Sequence, residues 1–379
     1  MTPRQRMLTA MCNRIPDRVP VAPDISNMIP ARLTGRPFWD IYLDGDPPLW
    51  RAYIDAVRLY GMDGWFIYGR PDYEWEPTQA EAASEIVERT DERIVRRTTW
   101  RTPGGSLSSC VAYYPDIPPR HVEPLIKDPE RDVELYLKYV TRTAKGASGR
   151  TLAEQREALG EDGALGVGVG LPGLHAWVEM FEGGMETLTY LYYDHPELLE
   201  RLARRDHEMR LATLEHALPL APDFILAGAS GALTLQSPSI FRQLSLPTLK
   251  EITRRCRAAG VPCQLHCCGL EAELARICAE ETELTSINPL EPPPMGDCNL
   301  GEIKRRYGGR LSLMGNLHTT DVMLLGGPDD VAEAAKRAID DAAPGGGFIL
   351  STGDQCGRDT PDANLLALVD TARRYGCYG

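Results

Sequence analysis

His266 and Cys268, in Gln264-Leu265-His266-Cys267-Cys268-Gly269, set an imidazole and a thiol two residues apart. The segment follows Gly260-Val261-Pro262, where a helix ends and a short strand begins. Side chains along a strand alternate between its two faces. Gln264, His266 and Cys268 therefore share one face, and Cys263, Leu265 and Cys267 the other. At a strand's end the imidazole and the thiolate can both reach one metal ion. Zn²⁺ favours nitrogen and sulfur donors in a tetrahedron. A third donor must come from elsewhere, and Cys356 in Gly353-Asp354-Gln355-Cys356-Gly357 is the best candidate, just after the apolar strand Gly347-Phe348-Ile349-Leu350-Ser351. The plain alternative is a structural histidine among ordinary buried thiols. Two donors by themselves are a weak signal.

The elements that must position these donors are legible in outline. A helix over 4–12 is followed by a short strand from Val19 to Asp24 and a Pro-, Gly- and aromatic-rich, lid-like stretch over 28–47. Leu49 to Tyr60 has helical spacing, stopped by Gly61. From Gly64 onward apolar strands alternate with helical sequence: strands near 64–68, 163–170, 223–228, 263–268, 284–288, 311–315 and 347–351, with helices between them. Counting from Val19, the strands number eight. Eight βα units fit a (β/α)₈ TIM-type barrel in one domain over 1–379, with an N-terminal helical segment. An open doubly wound sheet is the alternative. Between about 72 and 125 the alternation breaks, and Arg93–Thr102, a Pro-Gly-Gly turn and Leu107–Tyr113 read as an inserted β-hairpin. In a barrel the chemistry belongs at the strands' C-terminal ends. Asp24, Tyr68, Ser230, His266, Cys268, Asn288, Asn316 and Cys356 all fall there.

Composition narrows the class of partner. The chain has 379 residues, 43% of them hydrophobic and 25% charged, with a formal net charge of −13. An acidic chain without a basic cluster argues against nucleic acid and anionic membrane. No apolar run is long enough to span a bilayer, and the N-terminus lacks the core of a signal peptide. The ten cysteines are scattered apart from the cluster at 263–268, which suits reduced thiols in the cytoplasm.

Over nearly its whole length the chain resembles the uroporphyrinogen decarboxylase superfamily, and within it the corrinoid-dependent methyltransferases. The residues that carry the resemblance are Arg14-Ile15-Pro16-Asp17-Arg18-Val19-Pro20-Val21, Ser237-Pro238-Ser239-Ile240-Phe241-Arg242, His266-Cys267-Cys268-Gly269 and Asn288-Pro289-Leu290-Glu291-Pro292. Gly345-Gly346-Gly347-Phe348-Ile349-Leu350 and Thr360-Pro361-Asp362-Ala363-Asn364 extend it. The resemblance implies a TIM-type barrel and a His-x-Cys pair with a distant Cys as zinc ligands, which His266, Cys268 and Cys356 match. It also implies transfer of a methyl group from a small methylated donor, an O-methyl compound such as an aryl methyl ether, to the Co(I) cobalamin of a partner corrinoid protein. Two departures weaken the decarboxylase alternative. The early basic signature is reduced to Arg32-Leu33-Thr34-Gly35-Arg36, and Gly228-Ala229-Ser230-Gly231-Ala232 carries no carboxylate.

Other residues have narrower expectations. Glu291 would be a displaceable fourth ligand or a hydrogen-bond acceptor for His266, or else a solvated loop carboxylate. Asp354 has the same ambiguity. Asn288 and Asn316 would bond substrate or cap the following loop. Asp24, Tyr68, Trp177 and Met180 are candidates for the substrate pocket, although Trp177 and Met180 at helical spacing also read as core. A metal-free decarboxylase and a non-catalytic binding barrel remain as other readings, and monomer and homodimer are both open.

Overall fold

The computed structural model describes residues 1–378. Helix Pro3–Met11 opens the chain, with Thr2 and Gln5 forming a reciprocal cap. Helices Met28–Leu33 and Leu49–Tyr60 follow, the latter ended by Gly61 in the left-handed region. The strands are β1 (Gly64–Gly69), β2 (Asp72–Trp75), β3 (Glu81–Arg89), β4 (Ile94–Thr102), β5 (Gly105–Tyr113), β6 (Arg120–Glu123), β7 (Ala144–Ser148), β8 (Gly163–Gly170), β9 (Phe224–Gly228), β10 (Cys263–His266), β11 (Ser286–Asn288), β12 (Ser312–Leu317) and β13 (Phe348–Thr352). Seven of them form one parallel sheet in the order β1-β8-β9-β10-β11-β12-β13, and helices cross between consecutive members from β8 onward. None of the helices among the described residues is long and apolar enough to cross a membrane.

The fold is thus mixed α/β with a seven-stranded parallel sheet, one strand short of the expected eight. The segment at Val19–Asp24 makes only a bridge. Val21 pairs in parallel with Leu350, while its carbonyl accepts the Asp63 N–H at 2.8 Å. Pro20 and Pro23 flank Val21-Ala22, and proline offers the ladder no N–H, so pairing cannot extend.

The insertion is also larger than a hairpin. The β4–β5 hairpin forms with Thr102 opposite Gly105, but β3 and β6 add to its two sides, and β2 pairs antiparallel with β7. The strand β3 is exposed along most of its length, so it lacks the apolar alternation that marks a half-buried strand.

Alternation along the parallel strands sorts their side chains into two clusters. Trp65, Ala164, Phe224, Leu226, Met314 and Ile349 line the inner face, where Met7, Ala10 and Met11 of the first helix pack on them. Phe66, Leu165, Ile225, Leu265, Leu313 and Leu350 point outward to the crossover helices. The first helix touches β1 and β8 near one edge of the sheet and β12 and β13 near the other. The sheet therefore curls round it. Gly166 is required for this packing, because a Cβ there would collide with the Phe224 ring.

Candidate metal centre at the strand ends

The inner face turns polar at the C-terminal ends of the strands. Gly170, Gly228, His266 and Asn288 lie at one level, each in register with the next across β8, β9, β10 and β11. The chain beyond His266 is held by backbone bonds: Ala229 N–H to His266 O, Cys267 N–H to Asn288 O and Gly231 N–H to Cys268 O. Gly269 then turns with φ 93°, and a Cβ there would strike the Thr234 hydroxyl. This anchored turn puts Cys268 on the same side as His266. Cys267 is fully buried in the outward cluster.

His266, Cys268 and Asp354 converge, with one ligand atom from each lying within 4.8 Å of the other two. His266 Nε2 is 3.8 Å from Asp354 Oδ1. Burial pushes the Cys268 thiol up to about 11, with the charge of Asp354 adding. Burial also raises the Asp354 carboxyl, against the pull of His266. A cation between the three groups would oppose both effects.

Asn288 supplies a further test of fit. Its amide nitrogen is 3.2 Å from His266 Nδ1, while its amide oxygen is buried without a partner. Exchanging the two amide positions lets the oxygen accept Nδ1–H and leaves the Nε2 lone pair facing Cys268 and Asp354. That is the tautomer a metal ligand requires. The donor set and its support therefore fit a divalent ion of zinc's preferences.

Cys356 is not brought into this group. It is fully buried, and its N–H donates to Asp24 O at 2.8 Å. Asp354, with φ 127° and its carbonyl accepting from Thr352 Oγ1, is the loop residue turned toward His266.

Glu291 is buried, and its carboxylate accepts the Gly269 N–H, so it braces the turn that follows Cys268. Its own N–H donates to Glu271 Oε2 at 3.1 Å. Glu271 is a fully buried acid whose pKa burial drives far upward, and nothing in the sequence sets it apart from a helix-capping residue.

Asn316 donates to Leu290 O at 3.0 Å and lines a cavity of about 490 Å³ with Pro292, Asp297 and His318. Asp24 accepts the Ser26 N–H, and Tyr68 donates to the Ser26 carbonyl while packing on Tyr53 and Phe66. Trp177 and Met180 belong to a second apolar cluster with Phe181, Leu199 and Ile240. The Trp177 indole donates to Asp206 there at 2.8 Å.

Open space adjoins the imidazole. A Cβ added at Gly168 or Gly228 would meet nothing within 4 Å. A cavity of about 330 Å³ is lined by Gly69, Arg70, Tyr73, Trp75 and Gly168. The inner face is thus open over Gly228, next in register to His266.

Residues 107–375 match the family described as uroporphyrinogen decarboxylase (URO-D). A curated uroporphyrinogen decarboxylase of Coxiella burnetii (strain RSA 493 / Nine Mile phase I) is 23% identical over 195 residues, covering 50% of this chain and 51% of the relative. The chain thus spans about half the length of that relative. One of Alkalilimnicola ehrlichii is 25% identical over 266 residues, 68% of each chain. Among solved structures, a methyltransferase from Methanosarcina mazei superposes with a TM-score of 0.65 at 16% identity, covering 99% of both chains. At that identity the likeness is one of fold.

Proposed function

The chain belongs to the uroporphyrinogen decarboxylase family, and from that premise we propose that it is a zinc-dependent methyltransferase. In this reading it moves a methyl group from a small O-methyl donor, such as an aryl methyl ether, to the Co(I) corrinoid of a partner protein. The strand ends form the mouth of a TIM-type barrel completed by the Val21 bridge. The observation that carries the proposal is the meeting of His266, Cys268 and Asp354 beside open space at the strand ends.

When bound, zinc supplies Lewis acidity to the donor's oxygen, which would otherwise leave with full charge. The chain's residues do the rest. His266 and Cys268 are the two fixed ligands, and the 353–357 loop supplies the third. Asp354 is in reach as the loop stands, and Cys356 is the loop's other donor. Asn288 holds the His266 ring and its tautomer. Glu291 fixes the turn that presents Cys268. Gly228 leaves the donor space to approach the imidazole side, and the buried strands beneath keep bulk water from below.

Metal analysis tests the reading. About one zinc per chain is expected, lost in His266→Ala and Cys268→Ser and kept in Cys267→Ser. Equal loss from both cysteine variants would contradict the two-face arrangement. Cobalt substitution separates the loop donors, because thiolate-to-cobalt absorption scales with the number of sulfur ligands. Loss of intensity in Cys356→Ser, with Asp354→Asn unchanged, would assign the third position to Cys356. Methyl transfer to free cob(I)alamin from a panel of methyl donors then tests the activity, and no transfer from zinc-loaded protein would refute it.

A further inference from the structure

We propose that Gly228 is a specificity-determining position: its missing side chain, with that of Gly168 one row deeper, leaves the room in which the body of the donor lies beside the metal. The inference rests on the methyl-transfer reading of the His266 site and names the residues that set how large a donor that site takes.

Glycine inside a strand costs backbone entropy and packs nothing. It marks a bulge, a close approach by other groups, or a bound ligand. Most glycines of the parallel strands have the second reason. A Cβ at Gly64, Gly69, Gly163, Gly166, Gly170 or Gly315 would lie 3.2 Å or less from another group. At Gly168 and Gly228 a Cβ would meet nothing within 4 Å. Neither of these two has a positive φ, so other L residues can adopt the backbone there. Neither sits at a bulge, because β8, β9 and β10 pair without a break in register. The fold thus gives no reason for glycine at either position, and a ligand is the reason left.

Their place on the sheet ties that ligand to the metal centre. Gly228 is two residues after Leu226 and Gly168 four after Ala164, so both face inward. Gly228 is in register with His266 on one side and with Gly170 on the other. Over Gly170 the opening is closed by Arg210, whose Cζ lies 3.2 Å from where a Cβ would stand. The strands that carry these two flanks are roughly 10 Å apart, with Gly228 midway. One row deeper, Gly168 is in register with Leu226, and Leu226 with Gln264. Gln264 is fully buried and bonded to the Trp65 indole. The room therefore runs from the imidazole over β9 toward Gly168, and not toward β11. A recess of that width takes a donor broader than a one- or two-carbon compound. Any side chain at 228 would project into it, a valine further than an alanine.

The test uses the cobalt-substituted full chain, with ethanethiol and phenylmethanethiol as probes, each titrated through thiolate-to-cobalt absorption. The unaltered protein should bind the larger thiol at least as tightly as the smaller. Gly228→Val should lower the ratio of the two affinities at least tenfold, and Gly228→Ala should fall between, with cobalt content unchanged in both. An unchanged ratio in Gly228→Val would overturn the proposal, as would exclusion of the larger thiol by the unaltered protein. Failure of the chain to bind cobalt would remove the metal centre and the proposal with it. Urea unfolding of Gly228→Ala and Gly168→Ala is the second measurement. Their midpoints should equal or exceed the parent's, and a fall in both would return the two glycines to a packing role and overturn the proposal as well. Transfer to cob(I)alamin is read separately. Size selection among the thiols without transfer from any methyl donor would retain Gly228 as the size limit and remove the methyltransferase reading. Transfer from anisole that keeps its efficiency in Gly228→Val would do the reverse.

Discussion

Replacing Glu271 with glutamine should make the protein more stable, increasingly so as the pH rises. Glu271 is fully buried, its Oε1 has no partner, and its Oε2 accepts the Glu291 N–H. Burial drives its pKa well above the ordinary 4.5, and the charges of Glu291 and Asp354 add to the rise against two backbone donors. Burial thus keeps the native acid neutral over a range of pH in which the same group in the unfolded chain is ionised. Below the unfolded pKa both states hold the proton and no difference arises. Above it the unfolded state has given its proton up, so native stability declines with pH until the folded pKa is passed. One proton of difference corresponds to about 1.4 kcal/mol for each pH unit. Glutamine keeps the shape and the acceptor for Glu291 but does not titrate. For each pH unit between the unfolded and the folded pKa the variant should therefore gain about 1.4 kcal/mol on the parent. Urea unfolding at a series of pH values measures this as a growing gap in midpoint at constant slope. Every other titrating group is common to both proteins and cancels in the difference. A gap that stays flat with pH would show that Glu271 is ionised in the native state and would refute the reasoning.

Three more substitutions probe the site and its frame. Asn288→Leu removes the partner of His266 Nδ1 and should weaken zinc binding by about 10- to 100-fold, read by competition with a chromophoric chelator. Trp177→Phe strips the indole bond from the buried Asp206 carboxylate and should cost about 1–3 kcal/mol of stability, with zinc content unaltered. Altered ligand binding without lost stability would instead place Trp177 in the pocket. Gly166→Ala drives a methyl group into the Phe224 ring and should cost about 1–3 kcal/mol in denaturant unfolding, partly relieved by Phe224→Leu.

What the sequence revealed follows from periodicity, and what it concealed follows from the lack of it. Alternation along Cys263–Cys268 places Gln264 and His266 inward, and the structure has Gln264 accepting from the Trp65 indole at 2.6 Å inside the sheet. Cys263, Leu265 and Cys267 pack outward, as the same alternation requires. The parallel strands from Gly64 onward were visible for the same reason. The choice between Asp354 and Cys356 was not, because both lie in a loop whose direction is set by a single left-handed residue and a Thr352 bond. Val19–Asp24 reads as a strand by composition, yet its prolines leave one bridge. Arg210 gave no signal at all. On a helix of 22 residues rich in charge it looks like one solvated cation among several, and only the packing of that helix carries it over Gly170.

Helix Pro3–Met11 lies where the strands begin. Arg4 reaches Asp223, just ahead of β9, and Met7, Ala10 and Met11 seal the apolar end of the inner face. The space beside His266 is therefore closed at the end where the strands begin. On the methyl-transfer reading proposed above, a small donor and a partner protein would both have to approach from the other end, where the strands finish. On that reading the donor would have to be seated before the partner covered the strand ends.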